Sequence, residues 1–412
     1  MSQAPGAPRS VRQVIWHTPG PVRILIAGVF ANRIGSFYST FVVLLLRQEG
    51  FSLRFLPLVL LIAGAATPAG SLLGGWAADR FSRKTALVAA TLLAGGPLAL
   101  LGEARGRPLI IAGVFSAALL SQAYIPAASA MLVDYTGEQD RVPVFALFRL
   151  AINLGAALGP VIAVFVAPHG LHLLFLIDAA TYVAFGAWLW AALPGEASPA
   201  AQEQPGTAGT APDAAADAPA PPRPSAARLL AFYAGVLLVT SIYYQYSSTI
   251  SLAVTAQHST TAYATLLTIN GAVIICFELP LTSVTRRLPW RLPMVAGIAL
   301  VAAGIAMCGA LHAYPLIALG VAVWTAGEMC YSPVVNAAVA SFSPPGRVGR
   351  YQGHLATTQA IAVACGPALG ILVYGHSPAA LWIGCLVAGG LACTAIYLAG
   401  RGPSRALAAS RA

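Results

Sequence analysis

Twelve apolar runs, each about long enough to cross a bilayer, constrain this chain more than any other feature. A spanning helix needs about 20 mostly apolar residues. Breaks at charges, Gly-Pro clusters and polar turns place spans near 23–46, 55–78, 85–102, 108–133, 143–167, 171–193, 228–253, 260–284, 292–311, 314–340, 350–374 and 378–400. Only 9% of the 412 residues are charged and 58% are hydrophobic, against about 25% charged in a soluble domain. The expectation is an all-α membrane protein.

Basic residues set the orientation. The net charge of +10 is not gathered into one nucleic-acid-binding patch; the basic residues punctuate the apolar runs. Seventeen fall in one set of connections and four in the other, so the positive-inside rule puts both termini in the cytoplasm. Lys84 is the only lysine, and the bias to Arg, Ala, Gly and Pro is that of a GC-rich bacterial genome. A bacterial cytoplasmic (inner) membrane is therefore expected. Residues 1–22 are polar and basic and read as a cytoplasmic tail, not a cleavable signal. Residues 194–227, rich in Pro, Ala and Gly, read as a disordered cytoplasmic linker between residues 1–193 and 228–412, six spans each.

The two halves repeat. A single ungapped shift of 207 residues carries Gly159-Pro160 to Gly366-Pro367, Tyr124 to Tyr331, Pro126 to Pro333, Arg80 to Arg287 and Lys84 to Arg291. Parallel six-helix repeats place a binding cavity between halves near the midplane. Gly155 and Gly159 lie four apart, the spacing of a close helix contact, and Pro160 implies a kink.

After the second span the chain reads Gly75-Trp-Ala-Ala-Asp79-Arg80-Phe-Ser-Arg83-Lys84. A small residue at Gly75 would let two helices approach closely. Asp79 could cap a neighbouring helix N-terminus, and the basic residues could pair with Asp134 at the end of the fourth span. This loop resembles the signature loop of the major facilitator superfamily, with Ser82 and Ala77 departing from its usual Gly and Leu. The fifth-span Gly155–Ala163 segment is similar to the Gly-Pro motif of the family's proton-coupled exporters. Gly327-Glu328 to Pro333, with Pro344 to Tyr351, looks like a pattern of its drug-efflux-like branch. The resemblance implies two six-helix pseudo-repeats, alternating access, and a gating role for Gly75, Asp79, Arg80, Arg83, Lys84 and Asp134.

Five ionisable residues fall inside predicted spans: Arg33, Arg149, Asp178, Glu278 and Glu328. A charge at bilayer depth is costly unless paired or watered. Glu328, in mid-span, is the first candidate for carrying protons, against a purely structural hydrogen bond. Glu278 could do the same or pair with Arg286 and Arg287. Asp178 reads as a structural partner of Arg33, with a proton role for both as the alternative. Arg149 could snorkel, meet an anionic substrate or meet Glu328. Residues at cavity depth that could contact substrate are Phe37, Gln122, Tyr124, Arg149, Asn153, Tyr243, Tyr244, Asn270, Tyr331, Asn336 and Gln359. Tyr243, Tyr244 and Tyr246 span too wide an arc for all of them to face the cavity.

No Walker loop, HExxH or CxxC spacing is present, so neither direct ATP use, nor enzyme chemistry, nor a cofactor or metal site is expected. The six cysteines lie in apolar segments and read as packing residues. The expected activity is secondary transport, a monomer in membrane lipid exporting small amphipathic molecules against protons. Uptake of a nutrient is the alternative within that class, and a non-transporting sensor the alternative outside it.

Overall fold

The structure, a computed structural model, describes residues 18–136, 138–194, 225–285, 288–342 and 348–400. The expected linker lies almost wholly outside the described residues, as do Arg286 and Arg287. The helices, in chain order, are α1 (Gly20–Ile34), α2 (Tyr38–Gln48), α3 (Leu56–Arg80), α4 (Arg83–Glu103), α5 (Arg107–Leu120), α6 (Tyr124–Asp134), α7 (Glu138–Val166), α8 (Leu171–Ala192), α9 (Ala226–Tyr243), α10 (Thr249–Gln257), α11 (Thr260–Thr285), α12 (Arg291–Ala310), α13 (Tyr314–Phe342), α14 (Val348–His376) and α15 (Pro378–Ala399). Among the described residues, eleven helical segments are long and apolar enough to cross a membrane. The twelfth predicted span is α13, whose 29 residues are about 43 Å long at 1.5 Å each. The fold is that of an all-α membrane protein with twelve spans in two pseudo-repeats.

The repeat reaches the helix ends. α5 and α13 begin at 107 and 314, and α8 and α15 run 171–192 and 378–399, all displaced by 207. Large apolar side chains cover the outside: Leu72 is 76% exposed, Phe165 71%, Trp190 69% and Leu230 72%. A bilayer is the solvent for which such a surface carries no penalty. Helix starts are set by local chemistry. Ser82 and Ser377 cap α4 and α15, accepting from Thr85 N at 3.1 Å and Ala380 N at 3.2 Å. Gly106, before α5, and Gly170, before α8, have φ of 93° and 128°, which a side chain would strain.

Two compact units result. The first comprises Met1–Glu49 and Ala65–Ala201, the second Gly50–Gly64 and Gln202–Ala412. The start of α3 thus groups with the second unit. Within the first, Gly70 and Gly74 of α3 pack directly on the carbonyls of Leu119 and Ala123. Gly75, expected to make that contact, does not: a Cβ there would sit an ordinary 3.8 Å from Pro126. Gly74→Ala is therefore expected to lower stability by about 1–3 kcal/mol through overpacking, and Gly75→Ala to stay within about 0.5 kcal/mol of the native protein. Thermal-unfolding midpoints in detergent check the pair; equal midpoints would reject this packing.

Three spans are interrupted inside the apolar core, at 35–37, 121–123 and, as a 3-10 turn, Tyr244–Ser247. Backbone groups freed there must be satisfied by protein. In the second unit Gln245 ties the break. Its Nε2 donates to Ser241 O at 3.0 Å and Gly366 O at 2.8 Å, and its Oε1 accepts from Thr249 Oγ1 at 2.9 Å and Ser248 Oγ at 3.2 Å. Gly366 and Gly370 leave the space: a Cβ at Gly366 would lie 2.9 Å from Ser241 Cα, and one at Gly370 would collide with Gln245. In the first unit Gly155 and Gly159 do the same for α1, with Cβ positions 2.6 Å from Arg33 Cβ and 3.0 Å from Ile34 O. Pro160 and Pro367 follow these contacts in both halves.

The halves also end alike. Lys84 Nζ donates to Leu193 O, just past the end of α8. At the position 207 further on, Arg291 Nη1 donates to Gly400 O, just past α15, at 3.1 Å. A cation on the last carbonyls of a helix satisfies orphan acceptors and opposes the helix dipole.

Candidate functional site

The chemistry-bearing side chains gather in two constellations, one in each unit, both beside interrupted helices.

In the second unit Glu328 is central. It sits midway along α13, and its Oε1 accepts from Tyr243 Oη at 2.9 Å. Its Oε2 is buried without a well-formed hydrogen bond, and the Asn270 amide also interacts with the carboxyl. Tyr243 is the last residue of α9, immediately before the 3-10 turn Tyr244–Ser247. Tyr243 lies 5.4 Å from Tyr244 and 5.2 Å from Tyr246, centroid to centroid, so the three rings form one cluster. Trp324, one turn before Glu328, meets Tyr243 edge-on at 5.6 Å and stacks on Tyr246 at 5.8 Å. The result is a carboxyl held among aromatic rings, an arrangement that offers apolar bodies with few polar handles.

Asn270 donates to Thr325 Oγ1 at 2.8 Å, one residue beyond Trp324. Glu278 is half-buried two turns further along α11, and its charge acts on Glu328 through space. Tyr331 is buried on α13, where Gly297 leaves room for it, and Gln359 is half-buried on α14. The side chain of Asn336 lies outside the described residues.

In the first unit Arg33 lies in the last turn of α1. Its Nη2 donates to Gln122 Oε1 at 3.3 Å, and its guanidinium carbon lies 5.8 Å from the centre of the Tyr124 ring. Gln122 belongs to the break at 121–123, and Tyr124 starts α6. The expected ion pair between Arg33 and Asp178 is replaced by another arrangement. Asp178 Oδ2 accepts from Phe37 N at 2.8 Å and Tyr38 N at 2.9 Å. The carboxylate therefore caps α2, whose first amides have no helical partner. Backbone donors at the break lie closer to it than the guanidinium does. Tyr182 serves the second break, donating to Ser121 O at 2.7 Å. Phe37 is buried against Phe41. Arg149 and Asn153 of α7 are exposed and join neither constellation.

The loop after α3 is ordered by Arg83. Its Nε donates to Asp134 Oδ2 at 2.9 Å, its Nη1 pairs with Asp79 Oδ1 at 3.3 Å, and it also reaches Ala78 O. Asp79, in the last turn of α3, thus pairs with the first residue of α4, whose N-cap is Ser82. With side chains 28–83% exposed, each pair contributes about 0–1 kcal/mol. Arg80 is exposed.

Sequence reasoning missed Trp324, Thr325, Gln245 and Tyr182. Gln245 carried a signal, being an amide in the middle of an apolar run. His172, expected as a loop end, is half-buried and pairs with Glu49 at 3.1 Å. Cys276, expected to pack, is exposed. A cavity of about 420 Å³ between α7 and α8 is lined by apolar residues and His169, and none of the expected site residues reaches it.

Comparison with known proteins gives these arrangements a context. The family model described as Major Facilitator Superfamily matches residues 25–367 and, in a second match, 232–411. From 25 to 232 is again a displacement of 207 residues. The uncharacterized MFS-type transporters YqjV and YttB of Bacillus subtilis (strain 168) are each 25% identical to the chain, over 82% and 87% of it and over 82% and 89% of their own lengths. A Na(+), Li(+), K(+)/H(+) antiporter of Planococcus maritimus is 32% identical over 35% of each chain. Among solved structures, a variant of the nucleoside transporter NupG superposes with a TM-score of 0.73 at 12% identity, covering 93% of this chain and 100% of that one. An auto-inhibited POT family peptide transporter gives 0.71 at 19% identity, covering 94% and 98%. At such identities the likeness is one of fold.

Proposed function

The chain belongs to the Major Facilitator Superfamily, and from that premise we propose that it exports small amphipathic molecules across the bacterial cytoplasmic membrane in exchange for protons. It is a multi-pass membrane transporter; the direction, the coupling ion and the substrate class are the proposal. One observation carries it. Glu328 presents a buried carboxyl with one oxygen held by Tyr243 and the other without a well-formed hydrogen bond, beside Trp324, Tyr244 and Tyr246. A carboxyl so placed is suited to taking up and releasing a proton as its surroundings change. The surrounding rings suit an amphipathic ligand. The match of part of the chain to a cation/proton antiporter points the same way. Arg83, bridging Asp79 and Asp134, is the proposed latch at the cytoplasmic ends of α3, α4 and α6.

The test uses purified protein in liposomes with ethidium and fluorescein as a cationic and an anionic amphipathic probe. Exchange predicts that an acidic lumen drives accumulation of a probe against its gradient, and that nigericin abolishes it. Accumulation driven instead by an alkaline lumen would identify proton symport, the uptake alternative. Movement independent of the pH gradient would reject proton coupling altogether.

A further inference from the structure

The charges inside the described spans are divided between the units: Arg33 and Arg149 lie in the first, Glu278 and Glu328 in the second. Asp178 is the exception, and it is committed to the backbone of α2. It acts on Arg33 only through space. Arg33 is therefore a cation at membrane depth without a contacting acid among the described residues. A guanidinium has five N–H donors. One is spent on Gln122 Oε1, and Nε is buried with no hydrogen bond. Beside it the Tyr124 hydroxyl is buried without a well-formed hydrogen bond, and the group it interacts with is the Arg33 guanidinium itself.

This is an unusual use of arginine. A charge taken out of water is retained where something of opposite sign meets it. Were Arg33 only an anchor for its helix, Asp178 would serve as its partner, since both side chains stand at the same break. Instead the carboxylate is turned to the amides of Phe37 and Tyr38, while Arg33 is turned to the carbonyl oxygen of Gln122. That amide fixes the guanidinium plane without neutralising it. The Tyr124 ring beneath it is in turn fixed, 6.3 Å from Tyr182 and 5.7 Å from Phe185. Behind it Gly155 leaves no slack: a Cβ there would press on Arg33 Cβ. The group is thus rigid, positive and equipped with free donors, and a planar carboxylate matches a guanidinium fork in geometry and charge.

We propose that Arg33, with Gln122 and Tyr124, forms a binding site in the first unit for the carboxylate of a small amphipathic acid. The Nε and remaining Nη donors engage the two oxygens, and the Tyr124 hydroxyl donates to one of them. An ammonium at the same place meets like charge, and an amide forgoes the charge-assisted bonds. The site goes beyond the transport reading, because it names the charge of the group that is recognised.

The experiment measures thermal-unfolding midpoints of the full chain in detergent with three matched probes: phenylacetate, phenylacetamide and phenethylammonium. Phenylacetate is expected to raise the midpoint with at least about tenfold greater potency than its amide, a factor of ten being the loss of one charge-assisted contact. Phenethylammonium is expected to have no effect. Arg33→Gln abolishes the phenylacetate response and Arg33→Lys retains part of it. Gln122→Glu keeps the test decisive should Arg33→Gln fail to fold. It supplies Arg33 with an internal carboxylate, so it is expected to keep or raise the unliganded midpoint while losing the phenylacetate response. Equal potency of the three probes, a normal response in Arg33→Gln or Gln122→Glu, or no response to phenylacetate at about 10 mM, where a millimolar site is about nine-tenths filled, would each overturn the proposal. No gradient is involved, so this result and that of the liposome assay stand or fall separately.

Discussion

Glu328→Gln is expected to abolish pH-gradient-driven transport in proteoliposomes, down to the level of empty vesicles, while leaving gradient-free exchange of bound substrate measurable. Glutamine has the shape of a protonated glutamate and keeps a carbonyl oxygen for the Tyr243 hydroxyl, so the hydrogen bond seen at 2.9 Å survives. The aromatic cluster around Trp324 keeps its packing. What is lost is only the ability to change protonation state. A defect in folding would lower both activities together; a defect in coupling separates them. Gradient-driven transport at the native rate in this variant would move the proton role elsewhere, with Glu278 as the remaining half-buried acid in the second unit.

Asp178→Ala is expected to give the largest loss of stability. Its carboxylate accepts from two buried amides, Phe37 N and Tyr38 N. Leaving a buried donor unsatisfied costs about 1–3 kcal/mol, so the pair amounts to about 2–6 kcal/mol, and lipid offers no substitute partner. Asp178→Asn keeps an acceptor oxygen but gives up the charge assistance, for a smaller loss of about 1–2 kcal/mol. The midpoint of thermal unfolding and the monodisperse fraction in detergent should rank native, Asn, Ala. An alanine variant as stable as the native protein would mean that the amides of α2 are satisfied in some other way.

Length and hydropathy made the spans legible, because a membrane helix must bury about 20 apolar residues whatever it packs against. The predicted run 171–193 became α8 and 378–400 became α15 within a residue. The interruptions at 35–37, 121–123 and 244–247 were not legible. They fall within apolar runs, and the groups that stabilise them are remote in sequence: Asp178 is 141 residues from Phe37 and Tyr182 is 61 from Ser121. Missing the breaks misplaced the chemistry that depends on them. Pairing Asp178 with Arg33 weighed side chains alone, and the freed amides won. The clustering of the Tyr243, Tyr244 and Tyr246 rings was not legible either, because the helix gives way to a 3-10 turn at Tyr244–Ser247. Assigning the close contact to Gly75 erred by one residue, which on a helix is about 100° of rotation. Arg83 with Asp134 was readable because loop charges at one membrane face have few alternative partners. Glu328 was readable as the lone acid in its span, while its partner Tyr243 needed the fold.

The cation at the end of each half ties that end to an earlier helix of the same half. Lys84 closes onto Leu193 and Arg291 onto Gly400, each within its own half. Each closure joins the start of a half's third span to the end of its sixth, so the half is sealed by its own residues like a hem stitched back on its own cloth. Loss of one cation would fray the final turn of one half and leave the other half's closure in place.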